Sequence, residues 1–384
     1  MASSDRSAFD WDIFCRVVDN FGDIGVCWRL ARGLAAGHGL AVRLWVDDWN
    51  SFRRLCPAGA EADPATTEGV DVRCWNSSFP AVVPAAAVVE AFGCELPDSY
   101  LAAMAARPRQ PVWINLEYLS AEAWVEDCHL MRSPHPRLPI VKRFFFPGFS
   151  PRTGGLLREP GLLEARDRFQ ADAGARAAFL RGLGVPDADG RRVMSLFAYE
   201  QPALDGLLAR WSGGADDVLL LVPEGRIVAD VARYFGVGGG APGTRFARGR
   251  LTAQVLPFID QARYDRLLWA CDLNFVRGED SFVRAQWAGR PFVWHIYRQH
   301  EQAHRAKLDA FVGRYVAGMD AAASASLRAF WLAWNGWGAA AAEWDAFSAC
   351  LPAISTHARR WAQALAGSAD LASALVQFSA HAVE

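Results

Sequence analysis

The stretch W-D-I-F-C-R-V-V-D-N-F-G-D-I-G, Trp11 to Gly25, decides the fold. Its first eight residues are mostly apolar and predict a buried strand. A short polar loop follows, and Val26–Ala36 then places apolar residues at the spacing of a helix. Gly22 and Gly25 allow a tight turn and the close approach of another molecule. A strand, a loop and a helix in this order predict the opening of an α/β unit.

Outward from this stretch, strands and helices alternate along most of the chain. Further strands are predicted at Leu40–Val46, Val70–Trp75, Ala87–Phe92, Pro111–Leu116, Val193–Phe197, Val218–Val222, Ala253–Leu256, Leu273–Val276 and Phe292–Ile296, and helices at Tyr100–Ala106, Leu204–Trp211, Tyr264–Cys271 and Ser281–Ala288. The alternation is typical of parallel sheets that helices cover on both faces. Between about Phe149 and Pro186 it is interrupted by Gly154, Gly155, Pro160 and Gly161, which break regular elements.

We therefore predict two Rossmann-like, doubly wound α/β domains, residues 1–165 and 180–360. The chain from about Ala321 onward has a helical pattern, and its last helix, about 365–384, can pack back on the first domain. Doubly wound sheets bind ligands at the carboxyl ends of their strands. Two such sheets facing each other would form an interdomain cleft, which is a preferred place for a ligand site.

The composition limits the class of function. The chain has 384 residues, of which 52% are hydrophobic and 21% charged, as in folded globular proteins. A net charge of -2 gives no global electrostatic bias toward nucleic acid or an anionic membrane, and we expect neither as a partner. The eight cysteines include no C-x-x-C pair, so a structural zinc site has no support and reduced thiols are expected. The polar N-terminus and the lack of a run of about 18 apolar residues predict a cytoplasmic protein without a signal peptide or a membrane span.

Two carboxylates lie in the loop after the first predicted strand. Asp19 and Asp23 are four residues apart, at the edge of the sheet where a ligand is expected. Paired carboxylates in such a place can bind a cation or act as a general base. The alternative is that Asp23 only caps the helix that follows. The loop lacks the pattern G-x-G-x-x-G, which makes a nicotinamide site unfavourable.

The segment R-G-E-D-S-F-V-R-A-Q-W-A, Arg277 to Ala288, follows another predicted strand and opens a helix, with Asp280 or Ser281 as its N-cap. The free N–H groups of that helix and the hydroxyl of Ser281 predict a phosphate site, and Arg277 could pair with the charge of a diphosphate. Glu279 would repel a phosphate, so we expect it to face the reacting groups. A charged loop exposed to solvent is the alternative.

The segment L-F-A-Y-E, Leu196 to Glu200, ends the first strand of the second predicted domain. Phe197 and Tyr199 alternate with Ala198 and therefore share one face. At a strand end above a cleft, the two rings could stack on a base. Packing within the protein is an equally good interpretation.

These segments, taken together and in this order, resemble the EarP family of protein-arginine rhamnosyltransferases. The likeness covers most of the chain and is sharpest at Trp11–Arg32, Asn115–Ala121, Phe149–Glu159 and Leu256–Tyr297. The resemblance implies a GT-B fold, with an acceptor-binding N-terminal domain and a donor-binding C-terminal domain. It also implies an inverting transfer of L-rhamnose from dTDP-β-L-rhamnose to an arginine of elongation factor P, without a metal or another cofactor.

Carried over residue by residue, the resemblance implies a set of site residues. Asp19 and Asp23 match the two aspartates of the family, with Asp23 as the general base, and Glu279 matches its essential glutamate. The positions that would hold dTDP or rhamnose are Phe197, Tyr199, Phe258, Gln261, Arg277, Asp280 and Ser281, and the backbone loop near donor and acceptor contains Asn20, Phe21, Gly22 and Gly25. The departures are an insertion at Gly236–Gly249 and Arg298 after H-I-Y, and neither affects the implied chemistry.

The chemistry of an arginine acceptor agrees with these residues. A guanidinium has a pKa above ~12 and delocalised electrons, so it is a poor nucleophile. Carboxylates can clamp it, localise its electrons and take a proton. A helix N-terminus and an arginine can stabilise the leaving diphosphate without a metal.

Four alternatives stay open from the sequence. The first is a GT-B transferase with another acceptor, the second a nicotinamide-dependent oxidoreductase, and the third an inactive sensor of a nucleotide sugar. The fourth is a metallopeptidase, because His300–His304 reads H-E-Q-A-H and so fits H-E-x-x-H. No further histidine follows before His357, and the segment begins a helix directly after a strand, so the polar start of a surface helix is the better interpretation.

Overall fold

A computed structural model describes residues 7–18, 21–57, 63–298 and 303–382. The chain divides into two compact units, one formed by Met1–Pro160 with Ala366–Glu384 and the other by Gly161–Leu365. The boundary between Pro160 and Gly161 lies within the stretch between Phe149 and Pro186 where the alternation of strands and helices is interrupted. It falls five residues before the boundary expected at 165.

The first unit is built on a sheet with helices on its faces. Its strands are β1 (Trp11–Cys15), β2 (Val42–Val46), β3 (Ala65–Thr67), β4 (Val70–Cys74), β5 (Ala87–Ala91), β6 (Val112–Leu116), β7 (Arg132–Pro134) and β8 (Val141–Phe145), and its first helices are α1 (Gly22–His38), α2 (Trp49–Leu55), α3 (Asp98–Ala105) and α4 (Trp124–Cys128). The strand order is β3-β4-β2-β1-β5-β6-β8-β7. Since β1 pairs in parallel with both β2 and β5, the winding reverses between β1 and β5.

Strand β1 is buried along its whole length, which explains its apolar sequence. The exception is Asp12, whose carboxylate accepts two hydrogen bonds from Arg43, at 2.6 and 2.8 Å, and one from the indole of Trp45 at 3.2 Å. A buried charge is tolerated when it is paired and hydrogen-bonded in this way. Asp12 therefore belongs to the core of the sheet and not to a ligand site.

The second unit repeats the doubly wound arrangement. Its strands are β9 (Arg192–Leu196), β10 (Val218–Pro223), β11 (Arg245–Arg248), β12 (Leu251–Leu256), β13 (Leu273–Arg277) and β14 (Phe292–His295), and its helices are α5 (Leu162–Ala171), α6 (Ala173–Gly182), α7 (Leu204–Ser212), α8 (Ile227–Tyr234), α9 (Gln261–Ala270), α10 (Asp280–Ala288), α11 (Ala303–Tyr315), α12 (Ala321–Trp334), α13 (Ala340–Ala349) and α14 (Leu351–Ala366). The strand order is β11-β12-β10-β9-β13-β14, so the winding reverses between β9 and β13.

The chain then returns to the first unit with α15 (Leu371–Ala382). The guanidinium of Arg158 donates to the carbonyl of Ala366 at 2.9 Å, and the N–H of Leu371 donates to the carbonyl of Leu156 at 3.0 Å. Phe378 packs against Phe145 with ring centres 5.8 Å apart. The last helix is thus part of the first unit.

The predicted strands are confirmed to within a few residues, and the largest difference is at the first one. We expected it to reach Val18, but β1 ends at Cys15. The N–H groups of Val17 and Val18 donate to the carboxylates of Asp47 at 2.9 Å and Asp23 at 2.8 Å. The chain leaves the sheet because these side chains replace the neighbouring strands as hydrogen-bond acceptors.

Candidate functional site

The first candidate site lies where the winding of the first unit reverses, after β1 and β5. Asp23 is in the first turn of α1 and is 3% exposed. Its Oδ2 accepts the N–H of Val18 at 2.8 Å, and its Oδ1 accepts the hydroxyl of Tyr118 at 3.3 Å. Two separate segments therefore orient the carboxylate. Asp19 and Asn20 lie outside the described residues.

Tyr118 was given no role by the sequence. It comes two residues after β6, and its ring stacks on that of Phe92, just after β5, with centres 4.4 Å apart and planes 14° from parallel. The stretch Asn115–Ala121, noted above only for its resemblance to a family, thus reaches the carboxylate of Asp23. Its position at the end of a predicted strand was the signal that could have identified it.

The loop residues before Asp23 are arranged differently from the expectation. The helix begins at Gly22 and not near Val26, so both Gly22 and Gly25 lie inside α1. The N–H of Gly25 donates to the carbonyl of Phe21 at 2.9 Å, and Phe21 is the N-cap residue. The glycines are therefore residues of the first helical turns.

The second candidate site lies where the winding of the second unit reverses, after β9 and β13. Arg277 ends β13, and its guanidinium carbon is 4.6 Å from the ring centre of Phe197 and 4.7 Å from that of Tyr199. The aromatic pair thus holds a cation through its ring faces. The Nη1 atom of Arg277 is buried and has no hydrogen-bond partner among the residues described here. This donor is available to an anion.

The helix start beside Arg277 differs in one detail from the prediction. Helix α10 begins at Asp280, and Glu279 is its N-cap without a capping hydrogen bond from its side chain. The hydroxyl of Ser281 accepts the N–H of Arg277 at 3.1 Å and donates to the carbonyl of the same residue. Ser281 therefore closes the turn that carries Arg277 to the helix. The backbone N–H groups of the first turn remain the natural phosphate donors.

Glu279 forms an ion pair that the sequence did not predict. Its Oε1 is 3.2 Å from Nζ of Lys307 in α11, and the two side chains are 20% and 16% exposed. Lys307 is 28 residues further along the chain than Glu279, so no local pattern indicated the contact. The glutamate is oriented by a helix from outside its own loop.

The remaining donor candidates lie at neighbouring strand ends of the second unit. Phe258 follows β12, and Gln261 opens α9 and is buried. Tyr264 of the same helix packs edge-on against Phe197, with ring centres 5.7 Å apart. An aromatic surface therefore borders the cation of Arg277. It suits a flat base next to a phosphate chain.

His295 lies on the strand next to Arg277 and pairs with it in register. Its ring packs edge-on against Tyr199 at 5.3 Å. Burial, and then the charges of Arg298 and Arg277, lower the pKa of His295 to about 3. The ring is therefore neutral at physiological pH and adds no charge beneath the site.

The metallopeptidase alternative gains no metal ligands from the part of the chain that the structure describes. In residues 7–18, 21–57, 63–298 and 303–382, no group of three or more potential ligands is placed to hold a metal ion. Of the H-E-x-x-H match, His300 and Glu301 lie outside those ranges, and His304 is buried against Trp337, with ring centres 5.2 Å apart. None of the helices in the same ranges has the length and apolar character to span a bilayer.

Two doubly wound units, with an oriented carboxylate in one and an arginine against two aromatic rings in the other, have the architecture of glycosyltransferases of the GT-B type. Solved structures share this fold, among them the spinosyn rhamnosyltransferase SpnG complexed with thymidine diphosphate (TM-score 0.52, 10% identity, 96% of this chain and 99% of that one). The chain belongs to the EarP family, the elongation factor P (EF-P) rhamnosyltransferases, whose model matches residues 11–380.

Relatives in this family are similar over nearly their whole length. A protein-arginine rhamnosyltransferase of Pseudomonas aeruginosa is 54% identical over 374 residues, covering 96% of this chain and 98% of the relative. That of Shewanella oneidensis is 39% identical over 391 residues, covering 98% and 99%. A structure solved for EarP-mediated arginine glycosylation of translation elongation factor EF-P matches with a TM-score of 0.71 and 41% identity, over 97% and 98% of the two chains. The resemblance inferred from the sequence is confirmed.

Proposed function

We propose that this protein transfers L-rhamnose from dTDP-β-L-rhamnose to a guanidinium nitrogen of an arginine in elongation factor P, with inversion at the anomeric carbon and without a metal or cofactor. The observation that carries the proposal is the buried Nη1 of Arg277, which has no hydrogen-bond partner within residues 7–18, 21–57, 63–298 and 303–382. The guanidinium lies against two aromatic rings just before α10. Membership in a family of EF-P rhamnosyltransferases supports the acceptor and the sugar.

The donor is bound by the second unit. The diphosphate accepts hydrogen bonds from Arg277 and from the first N–H groups of α10, which also stabilise the charge that develops on the leaving dTDP. Ser281 holds the turn between them. Phe197, Phe258 and Gln261 contact the base and sugar of the nucleotide, and Asp280 and Tyr199 complete the surroundings of the diphosphate and the rhamnose.

The acceptor is bound by the first unit. The carboxylates of Asp23 and Asp19 clamp the guanidinium and localise its electrons, and Asn20, Phe21 and the first-turn residues Gly22 and Gly25 of α1 border it. A nitrogen lone pair attacks the anomeric carbon, and the bond from that carbon to the diphosphate oxygen breaks with its electron pair on dTDP. Asp23 takes the proton that the nitrogen loses.

Glu279 provides the third carboxylate, which stabilises the positive charge shared by the guanidinium and the sugar ring during transfer. We place this chemistry in the cytoplasm, where translation occurs. No nucleic acid or membrane is needed by the reaction.

The experiment is intact-mass spectrometry of elongation factor P after incubation with this protein and dTDP-β-L-rhamnose. We expect the mass of one deoxyhexose to be added and fragmentation to place it on an arginine. A Lys substitution of that arginine in the acceptor serves as the matched control. If no mass is gained although the protein binds dTDP, the acceptor assignment is wrong, and a GT-B transferase with another acceptor remains.

A further inference from the structure

The ion pair between Glu279 and Lys307 has a feature that the proposed reaction does not explain. Glu279 immediately precedes α10, whose N-terminus would receive a diphosphate, and a carboxylate in this place repels an anionic donor. The ammonium of Lys307 lies 3.2 Å from Oε1 of Glu279, and both side chains are mostly buried. The negative charge of Glu279, which would repel the donor, is therefore balanced by the ammonium of Lys307 in α11.

A lysine is unusual in this chain. Lys142 and Lys307 are the two lysines among 40 basic residues, so the other 38 are arginines. Lys142 also pairs with a buried glutamate, since its Nζ lies 3.3 Å from Oε1 and 3.2 Å from Oε2 of Glu90, whereas the ion pair of Lys307 is with Oε1 of Glu279. An ammonium is a compact point charge, whereas a guanidinium forms a two-pronged contact that can engage both carboxylate oxygens. Lys307 can hold Glu279 through one oxygen.

We propose that Lys307 is a positioning residue for the transfer reaction, which directs the carboxylate of Glu279 and offsets its repulsion of the donor diphosphate. The inference rests on the proposed function of the second unit as the donor site. The proposal assigns two opposite effects to Glu279, one on the transfer step and one on donor binding. The carboxylate assists the transfer step, and Lys307 removes the cost that the same carboxylate imposes on donor binding.

The test is a double-mutant cycle with dTDP binding as its readout. Lys307→Met leaves the charge of Glu279 without this partner, so we expect the Kd for dTDP to rise about 10-fold, within the range of coupling between contacting charges. Lys307→Arg keeps the positive charge and should keep the Kd near that of the wild type. Adding Glu279→Gln to Lys307→Met removes the repulsion and should restore the affinity, but not kcat.

If Glu279→Gln restores dTDP affinity in the Lys307→Met background, the loss was caused by the charge of Glu279. A general loss of packing would not be repaired by a further substitution. Arg305→Met is the matched control, because Arg305 lies on the same helix and pairs with Asp309 at 2.7 Å. It should change neither the Kd nor kcat. The inference is overturned if Lys307→Met binds dTDP like the wild type, or if Glu279→Gln does not restore binding. A wild type that binds dTDP but modifies no arginine would contradict the proposed function, while the binding cycle would still decide the role of Lys307.

Discussion

Replacing Arg277 by methionine tests the donor site most directly. Methionine can keep apolar contact with the rings of Phe197 and Tyr199, which lie 4.6 and 4.7 Å from the guanidinium carbon. It removes the charge and the buried Nη1 donor that has no partner in the described part of the protein. The substitution therefore deletes the proposed diphosphate contact and spares the aromatic surface.

The size of the effect follows from that one contact. A hydrogen bond to a charged group contributes about 1.5–3 kcal/mol, which corresponds to a rise of about 10- to 150-fold in the Kd for dTDP. The same substitution should leave the affinity for thymidine unchanged, because thymidine has no phosphate to meet Arg277. Arg277→Lys keeps the positive charge but lacks the planar fork of the guanidinium. Its Kd for dTDP should therefore lie between those of the wild type and Arg277→Met.

Isothermal titration with dTDP and with thymidine, at two salt concentrations, measures these differences. The wild type should lose affinity for dTDP as salt increases, and Arg277→Met should lose less, since one screened charge is gone. Binding of dTDP by Arg277→Met within about 3-fold of the wild type, less than 1 kcal/mol, would refute the assignment of this residue. An equal loss of affinity for thymidine in Arg277→Met would also refute it, because that result would indicate that the aromatic surface had collapsed.

Three further predictions concern catalysis, metals and pH. Asp23→Ala and Glu279→Ala should each lower kcat by at least about 100-fold and leave the melting temperature within a few degrees, and near-normal turnover in either variant would contradict its role. Rhamnosylation should persist after dialysis against EDTA, and a loss that added metal restores would show a metal requirement. Because burial lowers the pKa of His295 to about 3, the unfolded chain binds the extra proton below about pH 6.5, and stability is lost as the pH falls. From about pH 7.5 to about pH 5.5 the free energy of unfolding should fall by about 1.3 kcal/mol through this group, and His295→Asn should remove that part of the slope in urea titrations.

The buried parallel strands could be predicted because their sequences are apolar on both faces. Val218–Val222 is an example, since every residue of β10 is buried. The helices α5 and α6 could not be predicted. Gly161 interrupts the sequence directly before α5, and the charged residues of Leu162–Ala171 obscured the helical spacing of its apolar residues. Asp172 ends α5 and caps α6 by accepting the N–H of Ala175 at 3.0 Å. The short antiparallel edge strand β11 left no signal in its four residues.

The candidate site was predictable where its residues follow strands. Arg277 and Phe197 were expected near a ligand because parallel strands end at one edge of a sheet, and the structure brings them together. The partners of the carboxylates were not predictable. Tyr118 reaches Asp23 across 95 residues, and Lys307 reaches Glu279 from a helix beyond the next strand. Such contacts depend on how whole elements pack, and no local spacing encodes them.

The return of the chain to the first unit has a consequence for synthesis. The segment that leads into α15 packs against the first unit, since Gly155, at φ +71, closely approaches the backbone of Ala369 and the carbonyl of Leu156 accepts the N–H of Leu371. A ribosome delivers residues 161–365 before this segment, so the second unit has its full set of contacts first, although it comes later in the chain. Until then, the surface of α1 that α15 will cover stays open. Until the last helix emerges, the first unit therefore lacks the contacts that α15 makes with α1, and surface left open in this way exposes a nascent chain to aggregation.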